Sequence, residues 1–131
     1  PKQLLLRDAI GDHQVPTLGA HIMARTIGAE HVDTGIRPLW GLGSVESTQT
    51  HGLVEYELGL PEVPDCTVPM SLCDDPHGKI RSLEPARQQL DLFLRTGEIR
   101  NLCDGGVCSF PDLSGCTAAD TDAAAAALCG D

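Results

Sequence analysis

The stretch Lys2-Gln3-Leu4-Leu5-Leu6-Arg7-Asp8-Ala9-Ile10-Gly11-Asp12-His13-Gln14-Val15-Pro16 decides how the rest of the chain is read. From Lys2 to Ile10 the apolar run around Leu4-Leu5-Leu6, stopped by Gly11-Asp12, is the pattern of a strand buried on both faces of a parallel sheet. A short apolar run also suits a buried helix, but its length and the glycine stop favour a strand. A helix follows. Thr17 is placed to cap it, Leu18, Ala20, Ile22, Ala24 and Ile27 lie largely on one stripe, and Gly28 closes it. Pro16 helps fix its start.

Residues 29 to 50 carry Gly35, Pro38, Gly41, Gly43 and a polar Ser-Thr-Gln stretch, which reads as an irregular connection with a short strand near Val32. Leu53 to Leu58 alternates, with Val54, Tyr56 and Leu58 on one face and Glu55 and Glu57 on the other, a second strand. Its acidic face places it near the sheet edge. Gly59 to Gly78, with Pro61, Pro64, Pro69 and Pro76, is a long loop, and loops of that length tend to be functional. Leu83, Ala86, Leu90, Phe93 and Leu94 mark an amphipathic helix within Ser82 to Thr96, with Pro85 in its first turn and Gly97 as its stop. Beyond Glu98 the pattern decays into Cys103 to Cys108, where Asp104-Gly105-Gly106 reads as a tight clipped turn. The Ala-rich tail Ala123 to Ala127 favours helix but has little to bury.

The 131 residues suit one domain, and nine Lys+Arg against nineteen Asp+Glu give a net charge of −10. With one Trp, one Tyr and two Phe, the chain lacks the positive charge and the stacking faces of a nucleic-acid binder. No apolar run is long enough for a transmembrane segment. The chain enters its first strand almost at Pro1, so it reads as the continuation of something longer.

Six cysteines, Cys66, Cys73, Cys103, Cys108, Cys116 and Cys129, all fall in the second half. None forms the C-x2-C pair of a zinc ribbon, so disulfides in an oxidising compartment, secreted or periplasmic, are expected. Sequence leaves the connectivity open. Nearest-neighbour pairing, Cys66 with Cys73, Cys103 with Cys108 and Cys116 with Cys129, is the simplest arrangement and would clip peripheral loops for at most about 2–3 kcal/mol each. The acidic residues Asp65, Asp74 and Asp75 lack a recognised calcium spacing and read as solvated loop charges.

Gly11-Asp12-His13-Gln14-Val15-Pro16 after a buried strand, followed by Asp75-Pro76-His77-Gly78 before a helix, resembles the C-terminal portion of an α/β-hydrolase of the bacterial extracellular lipase and esterase type. The resemblance covers roughly residues 2 to 100. It implies an α/β fold in which residues 1–100 supply the last two strand–helix units of the sheet, with 101–131 a Cys-rich and Ala-rich extension. The family order of nucleophile, acid and histidine implies Asp12 as the triad acid and His77 as the base. Ester hydrolysis follows from the resemblance, with neither cofactor nor metal.

The pairing has its own physical logic. A serine attacks a carbonyl only if an imidazole takes its proton, and a carboxylate on the other ring nitrogen fixes the tautomer. In an open parallel sheet such groups gather beyond the carboxyl ends of the strands, where Asp12 and His77 both fall. His51 has the same His-Gly context but precedes the strand 53–58, roughly 20 Å away at about 3.3 Å per residue. His21 reads as a helix-surface residue, His31 as structural, and His13 as a solvent-facing loop residue. Taken singly, Asp12 suits a turn and His77 a hydrogen-bonded loop; jointly, their order favours the triad.

A nucleophile elbow, Gly-x-Ser-x-Gly, is absent from the sequence. Gly41-Leu42-Gly43-Ser44-Val45 fails the pattern and follows Asp12, and Ser114 sits in the cysteine-rich tail. The nucleophile and the oxyanion hole are therefore expected from an upstream segment or partner chain, the N-terminal part of the same enzyme. The fragment alone is expected to be inactive and unstable, because the strand 2–10 would be interior with its neighbours elsewhere. The alternative is a disulfide-stabilised extracellular binding module without catalysis.

Overall fold

The structure, a computed structural model, describes residues 2–60, 73–117 and 120. Its frame is a four-stranded parallel sheet of β1 (Leu4–Ala9), β2 (Glu30–Val32), β3 (Ser44–Val45) and β5 (His51–Tyr56), in the order β1-β5-β2-β3. A small antiparallel pair joins β4 (Ser47–Thr48) to β6 (Ile99–Arg100). Helices α1 (Thr17–Ile27) and α2 (Glu84–Thr96) complete an α/β arrangement. Ala24 and Leu53 lie in one core with Leu6 packed against it; Ala9, Val54, Tyr56, Leu83 and Ala86 form the other. These follow from the alternation of side chains along β1 and β5.

Strand β5 corrects the reading of residues 53–58 in two ways. It begins two residues earlier, and it lies between β1 and β2 instead of near the edge. Leu53, Val54, Glu55 and Tyr56 are all buried, so the alternation of Glu55 with Val54 marks two covered faces, one holding a charge. Strand β1, expected to be interior with neighbours outside this chain, is the outermost strand of the described sheet, with Leu4 exposed and Leu5 and Leu6 half-buried. Its pairing with β5 is in full register, Leu4 opposite His51 through Ala9 opposite Tyr56.

Helix α1 keeps its expected span and its Gly28 stop, at φ 68°, but not its cap or its buried stripe. Pro16 takes the capping position, and the Thr17 hydroxyl is buried without a hydrogen-bond partner. Thr17 and Ala24 face the sheet, while Leu18, Ile22 and Met23 are more than half exposed. Helix α2 starts at Glu84, two residues later than the outer bound expected, and stops at Gly97. Its Leu94 is 73% exposed and Gln89 takes the buried place. The Gln89 side chain accepts from the Arg100 backbone N–H at 2.9 Å and donates to the Glu98 carbonyl at 3.3 Å. It thereby ties α2 to β6, a packing task for which no apolar side chain can substitute.

Of the expected disulfides, Cys103–Cys108 is present, and it closes the Asp104–Gly106 turn. Cys73 joins Cys116 instead of Cys66, across 43 residues of sequence. This bond fastens the start of the His77 loop to the C-terminal segment, so it is more than a peripheral clip. Cys103 and Cys108 belong to the core. Backbone hydrogen bonds from Cys108 to Thr34, from Glu57 to Cys108 and from Phe110 to Glu57 knit residues 103–110 onto the sheet. The expectations for Asp65, Cys66, Cys129 and the Ala123–Ala127 tail lie outside the described residues. Among the described residues no helix is long and apolar enough to cross a membrane.

Candidate functional site

The site begins with the turn that ends β1. Gly11 has φ 82°, and a Cβ there would stand 2.9 Å from the Leu60 side chain, so both conformation and space require glycine. The Asp12 N–H then donates to the Ala9 carbonyl at 3.1 Å, which turns the Asp12 side chain back over the strand end. One carboxylate oxygen, Oδ1, accepts from the backbone N–H groups of Gln14 at 2.7 Å and Val15 at 2.9 Å. The other, Oδ2, lies 2.8 Å from His77 Nδ1. The two residues singled out from the sequence, 65 positions apart, thus meet in space, with their side chains 8% and 28% exposed.

The loop bearing His77 is held by Asp75, which the sequence reading left as a solvated charge. Asp75 Oδ1 accepts from the His77 backbone N–H at 3.0 Å and from that of His13 at 3.4 Å, while Oδ2 accepts from the Gln14 amide at 2.6 Å. Desolvation raises the Asp75 carboxyl most, but the hydrogen bonds from Gln14, His77 and His13, with the charge of His13, together outweigh it and hold the carboxyl below the usual carboxylate range. Asp75 therefore clamps the acid loop to the histidine loop. Its signal in the sequence is the Asp75-Pro76-His77 spacing of an Asx turn, in which the side chain captures the N–H two residues on.

With Asp12 accepting, Nδ1 carries the ring proton and Nε2 presents a lone pair. His77 lines a cleft of about 530 Å³ along β1, together with Asp8, Asp12, Arg7 and Arg81 among apolar side chains. Arg81 Nη2, at 3.4 Å, is the group that donates toward Nε2. Among the described residues no serine or cysteine side chain is bonded to His77. The arrangement supplies an oriented base without a nucleophile. His51 stands at the start of β5, away from the end that carries the site, as the strand direction requires.

Beneath the cleft lies a second set of charges that the sequence reading missed. Asp8 and Glu55 are register partners on β1 and β5, and His21 descends from α1 to meet them. His21, expected on the helix surface, is mostly buried, with its Nε2 2.6 Å from Glu55 Oε1. Arg37 completes the shell through Nη2 to Oε1 at 3.0 Å and Nε to Oε2 at 3.2 Å. Burial would lift the Glu55 carboxyl, but the hydrogen bonds from His21 and Arg37, with their charges, hold it below its ordinary value.

Asp8 has no such support: Oδ2 is buried and without a partner. Burial, aided by the charges of Glu55 and Asp12 and only partly offset by Arg37 and a backbone hydrogen bond at Ala9, pushes its carboxyl up to about 8. Asp8, His21 and Glu55 each bring a potential ligand atom within 4.8 Å of the others, a donor set of the kind divalent metals accept. His31 nearby is buried, with neither ring nitrogen hydrogen-bonded, and burial lowers its proton affinity against the pull of Glu55 and Asp33.

Comparison with known proteins gives no relative from which to transfer a role: no family model matches the chain, nor does any curated protein or solved structure.

Proposed function

We propose that this chain is the acid- and histidine-bearing part of a serine hydrolase of carboxylic esters, of the α/β-hydrolase type. Asp12 orients His77, His77 acts as general base and then general acid, and the nucleophilic serine and oxyanion hole come from an upstream segment or partner chain. The observation that carries the reading is the 2.8 Å contact between His77 Nδ1 and Asp12 Oδ2, at a cleft that both residues line. In such a pair the carboxylate stabilises the imidazolium formed when the serine proton arrives, and the same proton then passes to the leaving alkoxide.

The side of β1 left open among the described residues, with the exposed Met23 of α1 beside it in the cleft, supports a neighbour on that flank that would carry the serine. The two disulfides favour an oxidising setting, secreted or periplasmic. A fluorophosphonate probe applied to the native preparation tests the assignment. Label is expected on a chain or segment carrying Gly-x-Ser-x-Gly; label on residues 1–131, or none anywhere, overturns it. A binding module without catalysis instead predicts that replacing His77 leaves every measurable function intact.

A further inference from the structure

The distribution of cations is uneven in a chain with ten more acids than bases. Arg37, Lys79, Arg87, Arg95 and Arg100 each pair with a carboxylate, and Arg25 lies over the Trp40 ring. Arg81 does not: among the described residues its polar contact is the His77 ring nitrogen at 3.4 Å. It closes the 3-10 turn Lys79–Arg81, four residues after His77, and lines the same cleft. Arg7 lines it too, with its guanidinium committed to the Ala86 carbonyl at 3.1 Å. The acids of the cleft do not hold Arg81. Asp12 spends its oxygens on His77 and two backbone N–H groups. Among the described residues the Arg81 guanidinium therefore stands beside His77 without a carboxylate partner.

We propose that Arg81 is a carboxylate-binding residue, and that the esters taken by this site carry a second, ionised carboxylate close to the scissile group. The proposal rests on the hydrolase reading for the word ester and on the cleft alone for the anion. A planar guanidinium pairs a carboxylate through two parallel N–H bonds, a far better partner than an imidazole nitrogen at 3.4 Å. Binding of the anion thus draws Arg81 away from His77 Nε2 and leaves that lone pair to accept the serine proton. A neutral ester leaves the guanidinium where it competes for the base. Arg81 in this way selects substrate and positions the histidine for use.

The test compares monomethyl succinate, an ester bearing a carboxylate, with dimethyl succinate, its neutral counterpart, at constant ionic strength. Nitrogen-15 NMR of the native preparation, with any associated segment retained, follows the Arg81 guanidinium and the His77 ring. Saturable shifts of both groups are expected with the monoester, at an affinity about tenfold above that for the diester. Arg81→Gln should erase the preference, and Arg81→Lys should restore part of it; a thermal melt of each variant checks that the exposed substitution leaves the fold intact. Equal affinity for the two esters, no saturable shift with either, or a preference that survives Arg81→Gln overturns the proposal. The readout needs no nucleophile. Failure of the hydrolase reading therefore appears separately, as absent fluorophosphonate labelling with monoester binding retained.

Discussion

Among the described residues two carboxylate–histidine pairs have nearly equal geometry, Asp12 with His77 at 2.8 Å and Glu55 with His21 at 2.6 Å, and opposite characters. The first uses Nδ1, has the Arg81 guanidinium at Nε2, and lines a cleft on loops beyond the strand ends. The second spends Nε2 on the carboxylate, lies between a helix and the sheet, and is sealed by Arg37. Proximity of an acid to an imidazole is thus no mark of a base by itself. Which nitrogen is engaged, and what the other one sees, separates a group able to exchange protons from one that holds a strand and a helix together.

The sharpest break between the pairs is expected in reactivity. On the proposed hydrolase reading, His77→Ala should slow fluorophosphonate labelling roughly a thousandfold or more, with the thermal midpoint nearly unchanged, because the side chain lines the cleft. Labelling kinetics measured alongside a melt check both halves of the statement, and an unaffected rate would make the Asp12 pair a structural one as well. For the buried pair the order reverses. Glu55→Ala leaves His21 and Arg37 without their acceptor and is expected to cost about 3 kcal/mol of stability, read from urea unfolding.

A third test sharpens the comparison through pH. The folded-state value of Asp8, about 8, lies above the ordinary carboxylate value of 3.8, so folding takes up a proton between the two. The stability contributed by protonated Asp8 is full below about pH 4, declines as pH rises and is lost once pH passes about 8. Asp8→Asn carries no such proton. Its thermal midpoint relative to the parent chain should therefore rise steadily from pH 4 to pH 8 and level off above. A flat difference across that range would show that Asp8 is ionised in the fold and that the cluster is neutralised by something other than a proton.

Much of this organisation was legible from residue order. Gly11-Asp12 after an apolar run and His77 before an amphipathic helix were enough to place both at one edge of a parallel sheet and to set His51 aside. The structure brings the pair within hydrogen-bonding distance. Less legible were the burial assignments. Leu94 and Ile22 follow helical spacing yet face outward, because the helix stripe that meets the sheet is fixed by where its neighbours stand. Glu55 read as a solvent-facing charge because alternation alone does not reveal that both faces of the strand are covered.

By itself, then, the sequence determined the alternation of strand and helix, the glycine stops at Gly28 and Gly97, and the loops that carry Asp12 and His77. These depend on local propensity, on backbone conformation and on chain direction, all of which act over a few residues. Only the tertiary structure decided that Asp75 ties the two loops together, that Cys73 reaches Cys116, and that Asp8, Glu55, His21 and Arg37 share one buried site. Each of those joins residues far apart in the chain. Their charges and thiols are then governed by what burial places beside them, a quantity that no local pattern encodes.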